Sequence, residues 1–262
     1  IDAEADGERA AALKSLAILG RTREVGLLVD RISQAPDASR RDEYADTLLV
    51  LAGRVGRSAV SALLPLVKAS DPARRIIGVH ALATVGGDRA AQAVIGLLDD
   101  PATEVQDEVV RTLSTWPGNW PEDIQVGPVL QKLAREGGKP AHQVLGFRGY
   151  LQHLQVAPGL SDEERVERIL HAMEQAGRPE ERQAAISALG SIPSRKALEA
   201  LLARTDQKEL AGATWSALLN LAGAKVPGLS REERRQLLER IIRESGNEAI
   251  QSRARELLRR LR

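Results

Sequence analysis

Five side chains fall where one face of successive helices would carry them. Glu167, Glu199 and Glu239 share one helical register, and His171 and Arg243 lie four residues beyond the first and last of them. Residues four apart share a helix face, so these groups are expected to line a strip that holds a basic or mixed-charge peptide through ion pairs. An ordinary solvated face is the competing reading. Acid–base catalysis would need a desolvated or crowded carboxylate, and nothing in the sequence requires a pocket around these ones. Trp120 stands apart, in Trp116-Pro117-Gly118-Asn119-Trp120-Pro121. It has no register position, and either covers the end of a helix pair or offers an aromatic anchor to a partner.

Other chemistry is poorly provided for. The four histidines, His80, His142, His153 and His171, are scattered, and no two lie at i,i+4 with a carboxylate between them. No metal site is expected. There is no Cys, which excludes disulfides, thiolate ligands and a Cys nucleophile. No serine sits in a Gly-x-Ser-x-Gly elbow, and no phosphate loop or dinucleotide fingerprint occurs. No cofactor and no catalytic residue is expected. Arg148, mid-helix among Leu145, Phe147 and Leu151, would need an acidic partner on a neighbouring repeat if buried.

The elements that must position the strip come from a repeat. Leu16, Leu48, Leu82, Leu113, Leu151, Leu189, Leu218 and Leu258 follow one another at intervals of 29 to 40 residues, each with an apolar residue three positions on. A period of this size signals stacked supersecondary units. One unit shows the grammar best. Asp71-Pro72 offers an N-cap and a first-turn proline. Ile76, Val79, Leu82 and Val85 recur at helical spacing, and Gly86-Gly87 supplies the left-handed stop. Ala91, Val94, Ile95 and Leu98 mark a second helix before Asp100-Pro101 opens the next unit; Lys139-Pro140 and Arg178-Pro179 open later ones. Pro158-Gly159-Leu160-Ser161 and Pro227-Gly228-Leu229-Ser230 are near copies, each with Glu three residues after Ser, the pattern of a capping box.

First (A) helices are predicted over 7–19, 39–53, 73–85, 103–116, 140–154, 180–192, 208–222 and 247–261. Second (B) helices are predicted over 22–34, 57–69, 88–98, 123–136, 162–176, 194–204 and 231–244, with a longer loop from Trp116 to Glu122. Trp116 and Trp215 take core positions. The B helices expose two rows: Gly26, Ser61, Gln92, Gly127, Glu167, Glu199 and Glu239, then Asp30, Pro65, Gly96, Gln131, His171, Ala203 and Arg243. The N-terminal part of this surface reads as small and neutral, and the C-terminal part carries three carboxylates flanked by His171 and Arg243. No sustained alternation of β-branched residues argues for strands. The expectation is an all-α fold: residues 1–262 as one right-handed α-solenoid of about seven helix pairs, closed by a basic capping helix.

The Asp-Pro starts, the second-helix pattern Ala91-Gln92-Ala93-Val94-Ile95-Gly96-Leu97-Leu98 and its echo at Val60 to Val67 resemble HEAT repeats, in the class that includes the phycobilisome-lyase-like ones. Pro140 to Leu151 and Arg178 to Pro193 are similar to HEAT modules of planctomycete-like and Bacteroidetes bacteria, which often accompany exported sugar-active or haem-binding domains. The resemblance implies an armadillo-like superhelix whose concave B-helix face binds another protein or peptide. An extracytoplasmic location follows from it, with the cytoplasm as the alternative. The His-Glu pairs of HEAT-type iron hydroxylases are absent. Resemblance in size and form to alkylpurine DNA glycosylases leaves a nucleic-acid-acting alternative, and the lyase likeness leaves a chromophore or small-ligand one.

Composition narrows these. With 37 basic and 36 acidic residues the net charge is +1, giving no bulk attraction to nucleic acid or anionic membrane. Aromatics are 2% of the chain, so the core must be aliphatic. No apolar run is read as approaching the roughly 20 residues of a membrane span, so insertion is not expected. The chain starts at Ile1 rather than Met, which leaves room for a removed leader or a neighbouring domain. The uneven repeats favour a natural over an engineered sequence. A monomeric, non-catalytic scaffold is the leading expectation.

Overall fold

The computed structural model describes residues 6–261. Among them lie fifteen α-helices, one short 3-10 turn and no strand. Contacts divide the chain into two compact units, one up to Gly149 and one from Tyr150 onward.

The first unit holds α1 (Asp6–Leu19), α2 (Thr22–Gln34), α3 (Ala38–Val55), α4 (Val60–Val67), α5 (Pro72–Val85), α6 (Asp88–Ile95), α7 (Thr103–Asn119), α8 (Val126–Glu136) and the start of α9 (Pro140–Val156). Two layers result: α1, α3, α5 and α7 pack in succession, and α2, α4, α6 and α8 pack in succession beside them. Val25, Leu28, Leu48, Leu51, Leu63, Leu66, Val79, Leu82, Val109 and Leu113 fill the space between the layers and are buried. The second unit holds the rest of α9 with α10 (Asp162–Gln175), α11 (Pro179–Leu189), α12 (Arg195–Leu202), α13 (Ala211–Gly223), α14 (Arg231–Glu244) and α15 (Glu248–Arg260). Here α11, α13 and α15 pack in succession, and α10 packs on α12.

Local chemistry explains the boundaries. Asp71 caps α5 by accepting from Ala73 N at 3.0 Å, with Pro72 in the first turn. At the other end Gly86 has φ +63° and returns its N–H to Leu82 O at 3.0 Å. Ser161 and Ser230 each form a full capping box, with Glu164 and Glu233. The fourth residue of several A helices adds a device that the apolar pattern hides. Arg75, Gln106, Gln143 and Arg182 each donate to the carbonyl six residues back, Ala69, Asp100, Gly137 and Ala176, at 2.7, 2.7, 3.0 and 3.3 Å. These carbonyls lie one to five residues past the end of the preceding B helix, where no intrahelical donor reaches. In α13 the same position is Thr214, whose hydroxyl is too short; its Oγ1 is buried and without a partner.

Several expectations are corrected. Helix α7 continues through Pro117 to Asn119, so the loop begins later than Trp116. Asp100 does not cap α7; it is buried, accepts from Ala102 N at 2.8 Å and pairs with Arg75 Nη2 at 2.8 Å. In α1 the buried leucine is Leu13, while Leu19 is 75% exposed. Arg148 is exposed, so it needs no buried acid. Residues Ala38–Val67 form one near-continuous helical run long and apolar enough, by length and composition, to cross a membrane. It turns sharply at Gly56 (φ +71°) and its leucines Leu48, Leu51, Leu63 and Leu66 are buried in the first unit.

Candidate functional site

The five strip residues lie on three B helices of the second unit: Glu167 and His171 on α10, Glu199 on α12, Glu239 and Arg243 on α14. All five are exposed. They are exposed because the opposite faces of these helices carry Val166, Ile169, Leu198, Leu201, Leu237, Leu238 and Ile241, which are buried.

Most of the acidic charge is already matched. Glu167 pairs with Lys196 of α12, Glu239 with Arg235 one turn earlier at 3.5 Å, and Arg243 with Glu244 at 2.9 Å. His171 Nε2 lies 3.0 Å from Gln175 Nε2. Glu199 alone of the three carboxylates makes no hydrogen bond or ion pair among the described residues. The surface is therefore of mixed charge rather than acidic. Glu239 also lines a cleft of about 420 Å³ with Arg231, Glu232, Arg235, Leu258 and Leu261.

One carboxylate next to the strip is strongly perturbed. Glu233 accepts from Arg195 Nη2 at 2.7 Å and from Ser230 N at 2.8 Å. The Arg195 bond first, then the Ser230 bonds, hold its carboxyl down to about 2. It is a helix cap and an inter-helix tie, fixed in its ionised form and unsuited to proton transfer near neutrality.

In the first unit the B-helix rows carry no such chemistry. Ser61, Gln92, Gly96 and Pro65 are exposed, but Gly127 is buried, against expectation. Helix α8 starts at Val126 rather than at 123, and Gly127 shares its buried face with Val126 and Leu130.

Trp120 is held by the protein itself. Its indole N–H donates to Ala83 O at 2.8 Å, and its ring lies so close to Gly86 that a Cβ there would meet it at 2.2 Å. Arg57 sits over the ring at 5.6 Å and also pairs with Glu122. Beneath, the buried Asp123 accepts from Trp116 Nε1 at 2.9 Å and from Gly87 N at 2.8 Å. Trp120 thus covers the α5–α6 turn and is half-buried there.

A cluster that sequence reasoning passed over sits on the same unit. Asp107 of α7 accepts from Lys139 and lies 2.7 Å from Nε2 of the buried His142. The Lys139 bond, then the His142 bond, lower the Asp107 carboxyl below its ordinary value. Asp107 and His142 are one repeat apart, so the period itself was the available signal. In the second unit His153 is buried and stacked on Tyr150, with ring centroids 6.5 Å apart. Desolvation first, then the positive charges of Arg168 and Arg165, lower its pKa. Among the described residues no group of three or more His, Asp or Glu is arranged to hold a metal ion.

No family model matches the chain, and no curated protein matches it. Among solved structures, the chain is similar to one titled as the crystal structure of an engineered protein, at 21% identity and a TM-score of 0.39, covering 91% of this chain and 96% of that one. It is also similar to one from the computational design of self-assembling cyclic protein homo-oligomers, at 14% identity and a TM-score of 0.17, covering 99% and 88%.

Proposed function

We propose that the chain is a non-catalytic interaction scaffold of HEAT-like helix pairs, and that its binding surface is the exposed face of α10, α12 and α14. In this reading the pairs stack with the right-handed sense of HEAT arrays. The carrying observation is the exposure of Glu167, His171, Glu199, Glu239 and Arg243 on helices whose other faces are buried. Rigid helices present these groups at fixed spacing, which lowers the ordering cost of binding. The matched pairs Glu167–Lys196 and Glu239–Arg235 favour a mixed-charge peptide, with Glu199 as the carboxylate that receives a partner's cation. Trp120 is less suited to be an anchor, because it is half-buried, packs against Gly86 and lies under Arg57.

An array of helical peptides of varied charge pattern tests this, read by fluorescence polarisation at 50 and 300 mM salt. Peptides carrying Lys or Arg at i,i+4 should bind, and tenfold more weakly to the Glu167→Gln, Glu199→Gln, Glu239→Gln triple variant. Equal binding by the triple variant would remove this surface from consideration.

A further inference from the structure

The first unit contains a cleft of about 480 Å³ that neither the B-helix rows nor the strip on the second unit accounts for. Its floor is apolar, formed by Leu98, Val110, Val129 and Leu133. Of these only Val110 is fully buried; the other three are half-exposed, although each faces the interior of the cleft. Its rim carries charges of both signs: Lys132 on one side of the account, Asp99 and Glu136 on the other. Among the described residues none of these three makes an ion pair or a side-chain hydrogen bond. Lys139 and His142, also in the lining, both bond Asp107 instead. That triad fixes the α8–α9 turn against α7 and leaves the wall of the cleft preformed.

The geometry points to a binding site for a small zwitterion with an apolar body, of the size and chemistry of an apolar dipeptide. The apolar floor would take the side chains. The ammonium would face Asp99 and Glu136, and the carboxylate would face Lys132. Volumes of a few hundred Å³ with an apolar lining and a few polar groups are typical of small-ligand sites. A ligand of one charge would leave one sign of the rim unmatched, whereas a zwitterion matches both. This site is independent of the peptide-binding surface proposed for the second unit.

Gly138 supplies the test. It lines the cleft, and a Cβ added to it meets no atom within 4 Å. Gly138→Leu therefore adds side-chain volume at the lining without a clash at Cβ, Gly138→Ala adds a single methyl there, and Lys132→Glu, at an exposed position, removes the rim cation. Leucyl-phenylalanine is titrated into the full chain by calorimetry and by amide chemical shifts, with the melting temperature of each variant as a check on folding. Expected are saturable binding, at least a tenfold loss in Gly138→Leu with an unchanged melt, and wild-type binding in Gly138→Ala. N-acetylation or C-amidation of the dipeptide should each weaken binding severalfold. No binding at 10 mM ligand, or binding unchanged in both Gly138→Leu and Lys132→Glu, would overturn the site. Equal affinity for the doubly capped dipeptide would overturn the zwitterion assignment.

Discussion

Asp123 ties the loop between α7 and α8 to Trp116 and to the α5–α6 turn. Its buried carboxylate accepts from Trp116 Nε1 at 2.9 Å and from Gly87 N at 2.8 Å, both through Oδ2. Asp123→Ala leaves two buried donors without a partner, at about 1–3 kcal/mol each. A loss of about 3 kcal/mol lowers the melting temperature by about 6–12 °C for a protein of this size. Asp123→Asn can still place its amide oxygen where Oδ2 lies and so loses only the charge on the acceptor. The remaining neutral bonds are roughly half as strong, a cost of about 1–2 kcal/mol. Differential scanning calorimetry with urea unfolding, followed by tryptophan emission, separates these cases. Trp116 fluorescence should shift to the red in the Ala variant before global unfolding, because its indole N–H would then seek water. If Asp123→Ala melts within 1 °C of wild type, or if Asn costs as much as Ala, the two hydrogen bonds are not what holds this loop.

Two further perturbations follow from buried groups. Thr214 carries an unpartnered hydroxyl in the interior of the second unit, so Thr214→Val, which keeps the shape, should raise stability by about 1 kcal/mol; a lower urea midpoint would show that the hydroxyl has a partner. His153 has its pKa lowered by burial and by Arg168 and Arg165. The unfolded chain therefore binds more protons below about pH 6.5, and stability falls as pH drops from there toward the lower folded value. His153→Phe keeps a ring against Tyr150 and should flatten the melting temperature between pH 7.5 and 5.5; an unchanged slope would assign the acid sensitivity elsewhere.

The helix pattern was legible in the sequence because it rests on local chemistry. The predicted starts of α2, α10 and α14 match the structure to the residue, since capping residues such as Ser161 and Ser230 act within one turn. The strip of Glu167, His171, Glu199, Glu239 and Arg243 was legible for a related reason: helical spacing decides which face a residue takes once the apolar face is known. Its charge state was not legible. Lys196 lies 29 residues from Glu167, and only packing of α12 on α10 brings them together. Asp107 and His142 were missed likewise, being 35 residues apart and joined only because α9 starts beside α7.

The sequence by itself determined an all-helical chain, several helix starts and the aliphatic make-up of its core. Each follows from interactions between residues at most a few turns apart. The tertiary structure alone decided how far each charge is free. It matched Glu167, Glu239 and Arg243 with neighbours, folded Trp120 onto Gly86, buried Gly127 and left Asp99, Lys132 and Glu136 unmatched around an apolar cleft. The physical reason is that ion pairs and close ring contacts act over a few ångströms in space, and the sequence distance between partners gives no measure of that.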